Sequence, residues 1–338
     1  MPAWLIRVAS RPRDGGGHVA RCRALAEALD RTAPVMFALD ADGGGHQPGL
    51  VAEGFRVGLG QAPGAGPWAG SVLDGYGFSA AEAAALRARA APLVVIDDAL
   101  DPPPAADLVV NGAPHLEGAT IAGIPALLGA RYALVDRRFA ALVPRPVALA
   151  VGSILVTFGR LDPVNATLMA LDALAAPVRR DPALRITVAL GGEAPHLATV
   201  RARLAALGPS ARLVVDGDMA ALLGRADLVV GAGGVGLVER LAAGVPSVTV
   251  AIAANQERQA AGAERGGATV YAGRAEELDP GSLGALIESL SGDRERRAAI
   301  SQFARALVDG HGPARIAAAM TALTRRHHVP VPSLESHP

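Results

Sequence analysis

The chain has one cysteine, Cys22, in 338 residues. An intrachain disulfide and a Cys-x-x-Cys metal site are both excluded, and a reducing, cytoplasmic setting is expected. Cys22 falls on the apolar face of the first helical segment, where a small core thiol is a better reading than a nucleophile. Aromatic residues are scarce too, at 3%, so Ala, Gly, Leu and Val must do most of the packing. Neither sign of charge dominates, since Lys+Arg and Asp+Glu are each 32. Without a global basic field, nucleic acid is not an expected partner. No run approaches the ~18 uninterrupted apolar residues of a membrane span, because Pro144, Arg145 and Pro146 break the region nearest to one. The apolar run Trp4–Ala9 is short and carries an arginine, unlike the core of a secretory signal.

What is present is enough for a sizeable core, with 51% hydrophobic residues and 19% charged. The length suits two domains of about 150 residues. Strand and helix patterns alternate throughout. Apolar runs at Trp4–Ala9, Pro34–Ala38, Val72–Asp74, Leu93–Ile96 and Leu108–Val110 read as strands. Ser79 and Glu82 form a capping box that opens a helix. Around Leu142–Gly152 the pattern lapses into Val-Pro-Arg-Pro-Val, an interdomain linker. A second series follows at Ile154–Phe158, Ile186–Leu190, Leu213–Val215, Leu228–Val230 and Ser247–Val250. Apolar runs without alternation belong to parallel sheets covered on both faces. The expectation is α/β: two doubly wound domains, 1–145 and 151–323, with the ligand in the cleft between them. Residues 324–338, with the His327-His328 pair, read as a flexible, solvated tail.

Two glycine loops bear on function. Asp14-Gly15-Gly16-Gly17-His18 lies between a strand and a helix whose apolar residues are Val19, Cys22, Leu25, Ala26 and Leu29. Helix N-termini attract anions, and this one also brings a titratable imidazole to the top of the sheet, either as a base or as an ordinary turn histidine. The second loop, Gly231-Ala232-Gly233-Gly234-Val235-Gly236, satisfies G-x-G-x-x-G. Its next strand runs into Ala251–Ala254 without the carboxylate that a dinucleotide ribose needs, so NAD is disfavoured. Bare amides at that helix N-terminus still suit a diphosphate. Glu239, one turn on, reads either as a ribose acceptor or as a surface partner of Arg240. Asn255 and Gln256 suit sugar hydroxyls and N-acyl groups, with an N-cap as the alternative for Asn255. Gly159 and Arg160 end the first strand of the second series and face the same cleft. Asp97 and Asp98 either tune the imidazole or bind sugar, or else simply end a strand.

Five segments in order carry a resemblance over about residues 4–272: Gly15–Cys22, Asp74–Gly77, Val95–Asp98, Gly129–Leu134, and Gly231–Gly234 through Glu239-Arg240 to Asn255-Gln256. The chain resembles the hydrolases of pseudaminic acid biosynthesis. These release UDP from UDP-2,4-diacetamido-2,4,6-trideoxy-β-L-altropyranose and are relatives of the GT-B glycosyltransferases. The resemblance implies two Rossmann-like domains acting as a monomer, with no metal and no cofactor. It implies that water attacks the anomeric carbon with His18 as base. Tyr76 and Asn255 would face the sugar, with Asp98 beside them. Gly15, Gly17, Gly159, Gly233, Gly234, Val235, Glu239 and Gln256 would line the substrate site. UDP is already a good leaving group, so no glycosidase-type carboxylate pair is required. The chain departs from the family at Ala9, Arg160, Leu161 and at Gly236, where a hydroxyl residue is common. A GT-B glycosyltransferase with an unknown acceptor shares all these features, and a non-catalytic nucleotide-sugar sensor would have no need of His18.

Overall fold

A computed structural model describes residues 2–11, 16–60, 66–143 and 146–327. Gly15 and residues 328–338 lie outside them. The first half contains β1 (Ala3–Val8), β2 (Val35–Leu39), β3 (Arg56–Leu59), β4 (Trp68–Asp74), β5 (Leu93–Ile96), β6 (Leu108–Asn111) and β7 (Ala126–Leu128). Its helices are α1 (Gly17–Leu29), α2 (Gln47–Ala52), α3 (Ala80–Arg89) and α4 (Arg137–Ala140). The second half contains β8 (Ser153–Thr157), β9 (Arg185–Leu190), β10 (Ala211–Val215), β11 (Leu228–Ala232), β12 (Ser247–Ala251) and β13 (Val270–Arg274). With them run α5 (Ala166–Arg180), α6 (Leu197–Leu207), α7 (Met219–Leu223), α8 (Val235–Ala243), α9 (Ala254–Arg265), α10 (Pro280–Gly292), α11 (Arg294–Leu307) and α12 (Gly312–His327).

The strands form two sheets, ordered β3-β2-β1-β4-β5-β6-β7 and β10-β9-β8-β11-β12-β13. Every pairing is parallel. The two doubly wound domains read from the alternating apolar runs are therefore present. Central strands such as β5 (Leu-Val-Val-Ile) are buried along their whole length, as a sheet covered on both faces requires. The capping box at Ser79 and Glu82 is formed and starts α3.

Each sheet reverses its winding at one point, between β1 and β4 in the first and between β8 and β11 in the second. Ligands of open α/β sheets sit beyond the carboxyl ends of the strands at such switch points. In this chain those ends are followed by Gly16–His18, Gly75-Tyr76, Gly159-Arg160 and Gly233-Gly234. Both glycine loops of the sequence thus stand at the places the topology reserves for a ligand.

The halves meet along an apolar seam. Ala130, Ala133, Val135 and Phe139 share a buried cluster with Leu237 and Leu241 of α8 and Ala260 of α9. At the seam a Cβ on Gly262 would lie 2.6 Å from the His115 nitrogen, so only glycine admits this approach. The expected tail differs from what is found. Residues 324–327 are helical, the last turn of α12, and Thr324 Oγ1 donates to the Ala69 carbonyl at 3.0 Å. Helix α12 also crosses back, placing Ile316, Ala317 and Met320 in one cluster with Trp4, Ile6 and Leu25. The apolar face of this helix finds its cover on the first domain, not on the second, as the division at 323 implies.

Candidate functional site

His18 is the second residue of α1, and the left-handed Gly16 (φ 82°) caps the helix without a side-chain hydrogen bond. The Nδ1 of His18 lies 2.8 Å from Asp74 Oδ1 at the end of β4. An ionised carboxylate only accepts, so Nδ1 carries the proton and donates it, leaving the Nε2 lone pair free. Asp74 is wholly buried and also receives Arg21 Nε at 2.7 Å, Arg21 Nη2 at 2.5 Å and the Cys22 thiol at 3.2 Å. Burial alone would raise its pKa. The Arg21 charge and its hydrogen bonds, with the bond from His18, outweigh that and hold the carboxyl well below the usual range. Burial and Asp74 push the Cys22 thiol well up, which makes it a donor and removes it as a nucleophile.

Arg21 continues the chain of contacts, with Nη1 donating to both oxygens of Asp98 at 2.8 and 3.0 Å. Asp98 in turn accepts from Tyr76 Oη at 2.8 Å, and that oxygen accepts from Asn255 Nδ2 at 3.0 Å. The Tyr76 ring stands edge-on to His18, centroids 4.9 Å apart. Tyr76 is pushed up to about 12 by burial and by the Asp98 carboxylate, so it serves as a neutral phenol. One arginine between two carboxylates leaves the cluster a net negative charge. Asp98 reaches His18 indirectly, through Arg21 and through Tyr76, and Asp74 is the residue that orients the ring. Asp97 caps locally, accepting from the Ala99 amide at 2.8 Å.

The other wall belongs to the second domain. Helix α8 begins at Val235 with Gly234 as its N-cap and again lacks a side-chain cap. Its first turn faces that of α1 so closely that a Cβ on Gly17 would lie 3.3 Å from Val235 Cγ2. Two uncapped helix N-termini thus converge on one place. A cavity of about 350 Å³ opens there, lined by Gly16, Gly17, Gly159, Arg160, Gly234, Val235, Gly236 and Glu239. A second cavity of about 240 Å³ adjoins it, lined by His18, Arg21, Tyr76, Asp98, Asn111, His115, Asn255 and Gln256. Burial pushes the Glu239 carboxyl up to about 7, with the nearby Arg240 opposing.

His18, Tyr76, Asp98, Gly17, Gly159, Gly234, Val235, Glu239, Asn255 and Gln256 are brought together around this pair of cavities. Gly233 stands one layer back: its amide donates to Gln256 Oε1 at 3.1 Å, and a Cβ there would meet Gln256 at 3.1 Å. Asn255 does not cap α9, whose N-cap is Ala253. Gln256 also accepts from the Ile252 amide, and Gln259 donates to the Gly234 carbonyl. Sequence reasoning placed Asp74 in the Asp74–Gly77 segment without giving it a role, and did not single out His115. A buried aspartate closing an apolar strand beside a candidate histidine was the available signal for the first. Burial, with Arg258 and Arg265 nearby, lowers the His115 pKa. Among the described residues no group of three or more His, Cys, Asp or Glu is placed to hold a metal ion. No helix among them is long and apolar enough to cross a membrane.

No protein-family model and no curated protein sequence matches the chain. Solved structures do. The chain is similar to MurG of Acinetobacter baumannii, with 16% identity over 95% of this chain and 100% of that one, at a TM-score of 0.66. It is similar to a UDP-glucosyltransferase of Polygonum tinctorium capable of glucosylating indoxyl, with 13% identity over 96% and 99% and a TM-score of 0.67. A third is the glycosyltransferase VinC in complex with DTDP, with 13% identity over 96% and 100% and a TM-score of 0.63. At these identities the likeness shows the fold. The chain has the GT-B architecture, two Rossmann-like domains facing each other across a cleft.

Proposed function

We propose that the protein transfers a glycosyl unit from a nucleoside-diphosphate sugar, with UDP as the nucleotide and an alcohol as acceptor. The observation that carries this reading is the placement of His18, fixed by Asp74, in the first turn of α1 where the N-termini of α1 and α8 converge. The diphosphate lies against those amides, where it and the charge that develops on it are stabilised without a metal. Glu239 accepts from the ribose hydroxyls, and the sugar occupies the smaller cavity beside Tyr76 and Asn255. The acceptor hydroxyl attacks the anomeric carbon as His18 Nε2 takes its proton. The bond from that carbon to the diphosphate oxygen breaks, and the electron pair leaves on UDP. Tyr76 and Asn111 offer neutral partners to sugar substituents.

Water in place of the alcohol makes the same machinery a hydrolase of the pseudaminic type, and one observation favours that reading. The cavity at His18, about 240 Å³, is below the ~300–1,000 Å³ that holds drug-sized ligands. The hydrogen-bonded Tyr76 and Asn255 both stand in its lining. The deciding experiment measures UDP release from UDP-2,4-diacetamido-2,4,6-trideoxy-β-L-altropyranose and from UDP-N-acetylglucosamine without acceptor. Rapid release from the first alone establishes the hydrolase. UDP binding without release establishes a transferase that waits for its acceptor. Absence of UDP binding overturns both.

A further inference from the structure

Arg240 is a buried cation with no carboxylate in hydrogen-bond contact. It is 1% exposed. Its Nη2 donates to the Ala232 carbonyl at 2.9 Å and to Thr249 Oγ1 at 3.1 Å, while Nε and Nη1 have no partner. A buried charge left without a full set of acceptors is costly, and such a group calls for an explanation. The adjacent Glu239 is a poor fixed counter-ion, because burial pushes its carboxyl up to about 7.

The place of the orphaned nitrogen supplies the explanation. A Cβ on Gly236 would lie 3.5 Å from Arg240 Nη1. Gly236 is the second residue of α8 and has no left-handed backbone angle to require glycine. Helix interiors disfavour glycine, so the missing side chain must serve something else. It leaves a notch between the guanidinium and the cavity where the two helix N-termini converge, and both Gly236 and Arg240 line that cavity.

We propose that Arg240, acting through the notch at Gly236, supplies the full positive charge that holds the donor's diphosphate and stabilises it as it leaves. This rests on the nucleotide-sugar reading and deepens it by naming the cation of the phosphate subsite. Each helix N-terminus contributes only about half a charge, whereas the departing diphosphate gains negative charge as its bond to the sugar breaks. The guanidinium is held in place beforehand by Ala232 and Thr249, so little reorganisation accompanies the step.

The test compares UDP with uridine, which shares the nucleoside contacts and lacks the phosphates. Titration calorimetry on the full chain is run with wild type, Arg240→Met, Arg240→Lys and Gly236→Val. Preference of wild type for UDP, at least a hundredfold, is expected. Arg240→Met should cut that preference tenfold or more and leave uridine affinity within twofold, and Arg240→Lys should restore much of it. Gly236→Val, which keeps the arginine and fills the notch, should reproduce the loss, and it carries the test if Arg240→Met does not fold. An unchanged preference in either folded variant, or equal losses for both ligands, overturns the assignment and leaves Arg240 a clamp between β11 and β12. Failure of wild type to bind UDP overturns the nucleotide-sugar reading itself.

Discussion

At the scale of single residues, the site depends on a proton held in one place. Asp74 fixes the tautomer of His18, so removing the imidazole and removing its orienting carboxylate have different signatures. His18→Ala should lower kcat by ~10²–10⁴ and leave UDP affinity within twofold, since the nucleotide meets α1 through backbone amides that the substitution keeps. Steady-state kinetics with calorimetry checks both. Asp74→Asn should also cost stability, about 3–5 kcal/mol, because it breaks a buried ion pair and leaves Arg21 undercompensated. The pH dependence follows from the depressed pKa of Asp74. A carboxyl ionised more readily in the folded state than at its unfolded value of about 3.9 stabilises the protein above that value. Its contribution is lost as pH falls towards the folded pKa. Urea midpoints of wild type and Asp74→Asn should therefore lie far apart at pH 7 and converge below about pH 4. His18 was legible in the sequence because it terminates a glycine loop. Its network was not: Arg21 reaches Asp74 and Asp98 across 53 and 77 residues, and such distances leave no local pattern.

Among elements, legibility followed burial. Runs such as Leu93–Ile96 and Leu228–Val230 lie in the middle of their sheets and read clearly. The strands missed by pattern, β3, β7 and β13, are at sheet edges and only partly buried, so their apolar runs are short or broken, whereas β10, also at an edge, was legible from its Leu-Val-Val run. Helix α12 was mistaken at its end for another reason. Pattern shows that it has an apolar face, and only the fold shows which domain that face covers. Ile316 is fully buried there. Ile316→Ala should cost about 2–5 kcal/mol, seen as a lower melting temperature. Loss of binding at saturating UDP should not accompany it, because no residue of α12 lines the cavity at the glycine loop of α8.

For the whole molecule, one hydrogen bond between side chains bridges the cleft among the described residues, from Asn255 to Tyr76, with an ion pair between Arg138 and Asp218 at 3.6 Å also linking the halves. A neutral, partly exposed bond contributes about 0.5–1.5 kcal/mol, so it biases closure without locking it. Asn255→Ala should raise the KM for the donor sugar about two- to tenfold, with UDP affinity unchanged. Tyr76→Phe should do the same, and the double variant should be no worse than either single one. Additive losses would mean that each side chain acts on the sugar independently. Another property of the whole comes from the return of α12. The polypeptide passes between the domains twice, once ahead of β8 and again after Val308, where Gly310 lies against Ala140 and Val308 is buried in the seam between the halves. A gate hung on two pins swings but does not twist. Any opening of the cleft is therefore expected to run about the line through the two crossings, and energy transfer between fluorophores placed on its two rims checks this as a single distance change.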